Sequence, residues 1–235
     1  MKRFIPFMKA DPVVAVVRLA GSIGSGPRSP LSDEVIGPVL ERAFRRGKPR
    51  AVALVLNSPG GSPVQSALIA ARIRRLAADK KIHVHAFVED VAASGGYWLA
   101  AAADDIWADT GSIVGSIGVI SAGFGAHVAL ARQGVERRVY TSAESKSMLD
   151  PRGAKLADDP ELFTGRFWLG AQAHELGLID GIGHLEPKLK ELYGDKVKLV
   201  RYGRRRSLFQ RFGATFAQDA LAGIEERAAF ARFGL

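Results

Sequence analysis

The sequence predicts an α/β protein with a largely parallel sheet, and three observations support this class. The run Ala51–Leu56 is continuously apolar, as in strands that are buried on both faces of a parallel sheet. Strand-like and helix-like segments alternate along the chain, which favours right-handed βαβ crossovers. Glycine-rich turns follow the strand-like runs, at the sheet edge where open α/β proteins place their sites.

The individual elements follow from local pattern. Val13–Leu19 is a β-rich run, and Leu31–Arg46 has apolar residues at helical spacing, with Ser32 as N-cap and acidic residues in its first turn. The other predicted elements are, in chain order, strand Ala51–Leu56, helix Val64–Ala78, strand Ile82–Val88, a helix from Ser94 to Ala103, strand Ile117–Ile120, helix Ala126–Gln133, strand Val135–Tyr140, helices Gln172–Leu176 and Leu185–Tyr193, and strand Val197–Tyr202.

The carboxyl-terminal part of the chain predicts an amphipathic helix that is basic at its start. From Ser207 onward, apolar residues recur at helical spacing: Phe209, Phe212, Phe216, Ala220, Ile224 and Phe230. We therefore expect two parts, an α/β domain over residues 11–203 and a helical extension over residues 204–235.

Composition excludes several kinds of site. The 235 residues are 47% hydrophobic and 24% charged, which suits a globular domain with a core. With no cysteine, disulfides, cysteine nucleophiles and thiolate metal sites are excluded. His83 and His85 share one face of a predicted strand, but the sequence shows no third ligand beside them. We expect no catalytic metal and no cofactor.

The net charge of +9 raises nucleic acid or an anionic membrane surface as partners. Basic residues concentrate over positions 196–211, yet no nucleic-acid-binding motif accompanies them. A solvated basic surface is the favoured interpretation, with no nucleic-acid partner. Because no stretch has the length and apolarity of a transmembrane helix, we expect a cytoplasmic protein or one that is peripheral on the inner membrane.

The most informative stretch is Val91–Ala100, which places Ser94 and two glycines between an apolar strand and an alanine-rich helical run. A hydroxyl at a helix N-terminus lies beside backbone N–H groups that favour developing negative charge. Those are the requirements of a nucleophile beside an oxyanion site. The alternative is an ordinary N-cap serine.

Several ordered segments carry a resemblance to a known family. They are Asn57–Gly61 after an apolar strand, Ala93–Tyr97, Gly115–Val119, Ser145–Ser147 before Asp150–Pro151, and Thr164–Trp168 followed by Ala171 and Glu175–Asp180. Over about Val13 to Tyr193 the chain resembles the signal peptide peptidase A family. This resemblance implies a serine peptidase with a Ser/Lys dyad on a ClpP/crotonase-like fold, a spiral of repeated βαβ units.

The resemblance also implies roles for individual residues. Ser94 matches the nucleophile, Lys146 the general base and Ser116 a serine that orients the lysine amine. A lysine can act as a base when burial lowers its pKa towards the working pH. An oxyanion needs two N–H donors: Gly95 follows the nucleophile and can supply one, and the glycine turn should supply the other, from Gly61 first and Gly60 next.

The chain departs from the family in two places. Only Arg152–Phe163 separates Asp150–Pro151 from Thr164, where the family has a longer, mostly helical stretch. A membrane anchor at the amino terminus is common in these peptidases, and we expect no counterpart of it in this sequence.

The expected function is hydrolysis of extended hydrophobic peptides, such as remnant signal peptides. One alternative is a crotonase-like acyl-CoA enzyme, for which Glu89 and Asp90 are the nearby acids, and another is a non-catalytic scaffold on a peptidase fold. The resemblance implies a cyclic homo-oligomer, with an octamer favoured, in which the lysine reaches a neighbour's serine. The phenylalanines of the terminal helix supply an apolar stripe too large to leave exposed on a monomer.

Overall fold

The computed structural model describes residues 11–25, 31–118 and 160–203, together with positions 227, 230, 231, 233 and 234. Within these residues, eight strands form one mixed sheet in the order β6-β5-β3-β2-β1-β8, with β4 beside β3 and β7 beside β4. All strand pairs are parallel except β5 with β6. The strands are β1 Val13–Ala20, β2 Ala51–Ser58, β3 His83–Ala93, β4 Asp105–Ala108, β5 Ile113–Gly115, β6 Phe167–Leu169, β7 Gly181–Ile182 and β8 Lys198–Tyr202.

Five helices accompany the sheet in the described residues, and the predicted α/β class is confirmed. They are α1 Asp33–Arg45, α2 Pro63–Lys80, α3 Gly95–Ala101, α4 Gly170–Glu175 and α5 Leu185–Tyr193, with a short 3₁₀ turn at Pro160–Phe163. Ser32 caps α1 as expected, because its side chain accepts a hydrogen bond from the N–H of Val35.

The core lies on both faces of the sheet. Alternate residues of β1 and β2 point to opposite faces, so Leu54 and Leu56 join one buried cluster and Ala53 and Val55 join another. Residues of α1, α2 and α3 pack into the first cluster, and Leu189 of α5 packs into the second. Covering both faces explains why β2 is apolar without interruption.

Strand β3 is longer than the sequence predicted, and it contains an irregularity. Its register against β2 shifts after Leu56, which faces Val88, so that Ser58 faces Ala92. The exposed residues Glu89 and Asp90 lie in the resulting bulge. Two charged residues interrupt the apolar pattern here, which is why the prediction ended the strand at Val88.

In the predicted strand Ile117–Ile120, Ile117 and Gly118 are not in a strand, while Val119 and Ile120 lie outside the described residues; the strand of this segment lies earlier in the chain. The strand is β5, Ile113–Gly115, and it ends because Gly115 and Ser116 both have positive φ angles, 112° and 51°. Strands β4, β6 and β7 were not predicted. The predicted helix Ala126–Gln133 and strand Val135–Tyr140, as well as most of the terminal helix, lie outside the described residues.

Membrane-spanning helices were searched for in the described part of the chain. None of the helices found there combines the length and the apolarity needed to cross a bilayer.

Candidate active site

Ser94 lies where β3 ends and α3 begins. Its backbone has φ 52° and ψ −120°, a conformation that non-glycine residues rarely adopt, and its side chain makes no capping hydrogen bond. The interpretation of Ser94 as an N-cap serine is therefore wrong, because a capping serine has extended backbone and binds the first turn, as Ser32 does. The turn instead leaves a partly exposed hydroxyl free of the helix.

The glycine turn after β2 packs directly against Ser94. A Cβ atom at Gly60 would lie 2.7 Å from the carbonyl oxygen of Ala93 and 2.9 Å from Ser94 Cβ. Gly60 also has φ 96°, so both space and backbone conformation require glycine. The structure thus brings together the two glycine-containing segments that the sequence singled out.

Gly61 is held by the segment that follows β1. Ile23 donates its N–H to the carbonyl of Gly60 (2.8 Å) and accepts from the N–H of Ser62 (2.8 Å). This bridge brings Ile23 so close that a Cβ atom at Gly61 would collide with the Ile23 carbonyl oxygen. Gly61 is therefore fixed between Ile23 and the end of β2.

The three glycines proposed as oxyanion donors differ in their hydrogen bonds. The N–H of Gly60 donates to Ser58 Oγ (3.2 Å). Among the described residues, no group accepts a hydrogen bond from the N–H of Gly61 or of Gly95. Gly95 is the first residue of α3, where the N–H has no acceptor within the helix. Two amides beside Ser94 are thus available to an oxyanion.

Ser58 is a residue that sequence reasoning missed. It is fully buried, and its hydroxyl donates to the carbonyl of Gly21 (2.7 Å) while accepting from Gly60. It therefore ties the end of β1 to the glycine turn. Its place directly before Pro59 in the turn was the available signal.

Ser116 follows directly after β5, the strand that pairs with the end of β3 just before Ser94. Gly115 pairs with Ala93, and its carbonyl accepts the N–H of Ser94 (2.8 Å). Ser116 follows at once, its positive φ stabilised by a hydrogen bond from its N–H to the carbonyl of Arg166 (2.6 Å). Ser94 and Ser116 thus come to the same edge of the sheet, while Lys146 lies outside the described residues.

The acids that an acyl-CoA enzyme would need are engaged elsewhere. Glu89 forms an ion pair with Arg18 (2.6 Å), and Asp90 accepts a hydrogen bond from Asn57 Nδ2 (2.6 Å). Both lie in the β3 bulge and line a pocket of about 720 Å³ that does not include Ser94. Their position does not support the acyl-CoA alternative.

Comparisons with known proteins agree with this architecture. The family model described as peptidase family S49 matches residues 76–164, which include Ser94, Ser116 and Lys146. A lysine-to-alanine mutant of the 1510-N membrane-bound stomatin-specific protease, solved with a substrate peptide, superposes with a TM-score of 0.61 at 16% identity. That likeness covers 92% of this chain and 99% of the other, and it shows the fold.

The sequence relatives differ in the fraction of their own length that this chain covers. A Brucella melitensis protein named Na(+)/H(+) antiporter NhaA is 42% identical over the whole of this chain, which spans 39% of that protein. The alignment runs over 286 residues, so the relative carries residues within it that this chain lacks, which is compatible with the short stretch between Pro151 and Thr164. A Synechocystis protein that bears a protease name is 30% identical, with 79% of this chain and 77% of that protein covered. The family match, together with this relative, of which the chain covers more than two thirds, shows that the chain belongs to peptidase family S49.

Proposed function

We propose that this chain is a serine peptidase in which Ser94 is the nucleophile. The observation that carries the proposal is the Ser94 turn: a strained backbone, a hydroxyl released from capping, and two amides without acceptors among the described residues. A preorganised pair of N–H donors beside a nucleophile is the arrangement that acyl transfer requires.

In this proposal Ser94 Oγ attacks the carbonyl carbon of the scissile peptide while the amine of Lys146 accepts its proton. The N–H groups of Gly61 and Gly95 bind the resulting oxyanion. Gly61 is preferred to Gly60 because Ser58 already occupies the Gly60 amide. When the intermediate collapses, the proton passes from Lys146 to the departing amine, and water then hydrolyses the Ser94 ester with the same base.

Ser116 is proposed to orient the Lys146 amine. Its support is the family resemblance together with its position, one residue beyond the carbonyl that accepts the Ser94 N–H. Lys146→Ala should abolish activity, and Lys146→Arg should be inactive too, since a guanidinium keeps its proton at the working pH and cannot act as a base.

Extended apolar peptides are the proposed substrates. Strand β6 ends the described sheet on the Ser116 side, and its residues Phe167 and Leu169 are about half exposed. Apolar side chains beside a sheet edge suit a peptide that adds as a strand, with its own side chains in pockets. Remnant signal peptides are an example of such extended apolar peptides.

The test is labelling with a serine-reactive fluorophosphonate, compared between two serines that precede helices. Ser94→Ala should lose labelling and hydrolysis of a peptide ester, with little change in stability. Ser32→Ala is the matched control: it should label like the parent while losing about 1 kcal/mol of stability, because its side chain caps α1. Labelling of Ser94→Ala at the parent rate would overturn the proposal.

A further inference from the structure

A cluster of two histidines and a carboxylate lies at the other end of β3 from Ser94. His83 and His85 are two residues apart, so they project from the same face of β3. Asp105 of β4 pairs in register with His85 and brings a carboxylate to them. His83 Nε2 and His85 Nδ1 each lie 2.8 Å from an Asp105 oxygen. The third donor, which could not be recognised from the sequence, is thus Asp105 on β4, a strand that was not predicted.

The donor atoms have the composition of a zinc site. One nitrogen from each histidine and one Asp105 oxygen all lie within 4.8 Å of one another. Two imidazoles and a carboxylate, with one position left open, form a common ligand set for Zn²⁺. Ser94 lies nine residues beyond His85 along β3, about 30 Å at the rise of a strand, so the cluster is distinct from the peptidase site.

Two of the three ligands, His85 and Asp105, form a hydrogen bond with a further side chain, and the third, His83, has a carboxylate nearby. His85 Nε2 lies 2.7 Å from the Tyr193 hydroxyl, and Trp107 Nε1–H donates to Asp105 Oδ1 (2.7 Å). His83 Nδ1 lies 3.6 Å from an Asp104 oxygen. Such partners orient metal ligands and fix the histidine tautomer. With a metal on Nε2 of His83 and Nδ1 of His85, the ring protons move to the other nitrogens and face Asp104 and Tyr193.

One histidine of the cluster is buried and the other is partly exposed to solvent. The His85 side chain is only 4% exposed, whereas that of His83 is 48% exposed. Both histidines and Asp105 line a pocket of about 920 Å³, through which an ion and a fourth ligand could enter. The site therefore combines one fixed ligand with access from solvent.

The charges around the pocket restrict which metal can bind. Its lining includes five basic side chains that form no ion pair in the described part of the chain: Arg45, Lys48, Arg50, Lys80 and Lys81. Their positive charge opposes any divalent cation, and hard cations, which depend on several carboxylate oxygens, find too few of these here to overcome it. Zinc draws its affinity from imidazole nitrogen, and the basic side chains favour an anion or hydroxide at its open position.

We propose that His83, His85 and Asp105 bind one zinc ion, which joins β3 to β4 at the amino ends of these strands.

The test uses the full chain without a histidine tag, stripped with a chelator and then titrated with Zn²⁺ or Co²⁺. The parent should bind one equivalent of zinc with micromolar or tighter affinity. A free zinc concentration of about one hundred times the Kd should raise the Tm of the protein by about 5 to 10 °C. Co²⁺ should give the visible absorption of a four- or five-coordinate site, and Mg²⁺ and Ca²⁺ should not compete.

Variants assign the ligands. His83→Ala, at a half-exposed position, and Asp105→Asn should weaken zinc binding at least a hundredfold, and Tyr193→Phe by about 10- to 100-fold. His174→Ala, an exposed histidine of α4, is the control and should bind like the parent, as should Ser94→Ala. Parent protein that binds no zinc below millimolar concentration, or zinc binding that survives His83→Ala unchanged, would overturn the proposal.

Discussion

Ser94 and Gly60 show how single residues shape the candidate site. A non-glycine residue in the Ser94 conformation costs about 1–3 kcal/mol, which the surrounding structure must offset. It does so through the Ser94 N–H bond to Gly115 and the packing of Gly60 against the serine. Strain at this position is thus coupled to the turn that contains the proposed oxyanion donors.

Gly60→Ala should therefore reduce both stability and labelling by fluorophosphonate. The added methyl would displace Ser94 and the Gly95 amide, which lie 2.9 Å from its position, on top of the cost of positive φ. Gly194→Ala is the matched control, since Gly194 has φ 86° with nothing within 4 Å. We expect it to lose about 1–3 kcal/mol in denaturant unfolding, because its ψ of 159° places it in a backbone region that is essentially restricted to glycine, and to label normally. Equal labelling of the two variants would contradict a role for the close packing of Gly60 against Ser94.

The sequence predicted which residues meet at the site but not how their amides are used. Glycines in turns after strands are visible in a sequence, because they break the apolar pattern. The hydrogen bond from the Gly60 N–H to Ser58 Oγ forms because β1, β2 and the glycine turn meet at one place in the fold. No local sequence pattern encodes that meeting. Asp105 escaped prediction as a neighbour of His85 for the same reason.

Helices α1 and α2 are joined by a partly buried ion pair. Arg72 of α2 donates from Nε and Nη2 to the two carboxylate oxygens of Asp33 in the first turn of α1 (2.8 and 2.7 Å). The hydrogen bond from Arg72 is the main cause that holds the pKa of Asp33 below its usual value. The carboxylate's contribution to stability is therefore present above about pH 4 and lost as the pH falls through the folded pKa.

Asp33→Asn should destabilise the protein by about 0.5–1 kcal/mol at neutral pH, and the difference from the parent should shrink below about pH 4. Glu34→Gln is the control, an exposed acid in the same turn without an ion pair in the described residues. Urea unfolding at pH 7 and pH 3 measures both. A pH-independent deficit in Asp33→Asn would mean that the ion pair contributes nothing.

Long, strongly patterned elements were predictable, and short ones were not. The buried run of β2 and the amphipathic helix α5 came out near their observed bounds, since burial on both faces makes β2 continuously apolar and burial on one face gives α5 its helical period. Strands β4, β6 and β7 have four, three and two residues, too few for a pattern. They exist because neighbouring strands supply their hydrogen bonds.

Assembly is the main proposal at the scale of the whole molecule. The sequence argument used an apolar stripe of phenylalanines near the carboxyl terminus. Phe230, the one member in the described residues, packs together with Phe233 against Val91, Ala93 and Ile113 of the same chain. Part of the stripe is therefore covered without a partner, and the family resemblance is what still supports a closed ring.

Mixing two inactive variants tests a shared site. If Lys146 acts on a neighbour's serine, combining Ser94→Ala with Lys146→Ala under conditions of subunit exchange should restore part of the peptidase activity. Exchange itself can be followed by native mass spectrometry of mass-labelled subunits. Exchange without recovery of activity would place both residues of each site in one chain.

The bulge in β3 divides the sheet into two regions with different hydrogen-bonded neighbours. Before Glu89 the strand pairs with β4, and after Asp90 it pairs with β5. Opening of β5 and β6 need not break the long ladder between β1 and β2, so the two regions can act as separate cooperative units. In native-state hydrogen exchange, the amides of Val114 and Trp168 should exchange faster than those of Val52 and Leu54. Equal rates would mean that the sheet edge beside Ser94 and Ser116 opens only when the whole sheet unfolds.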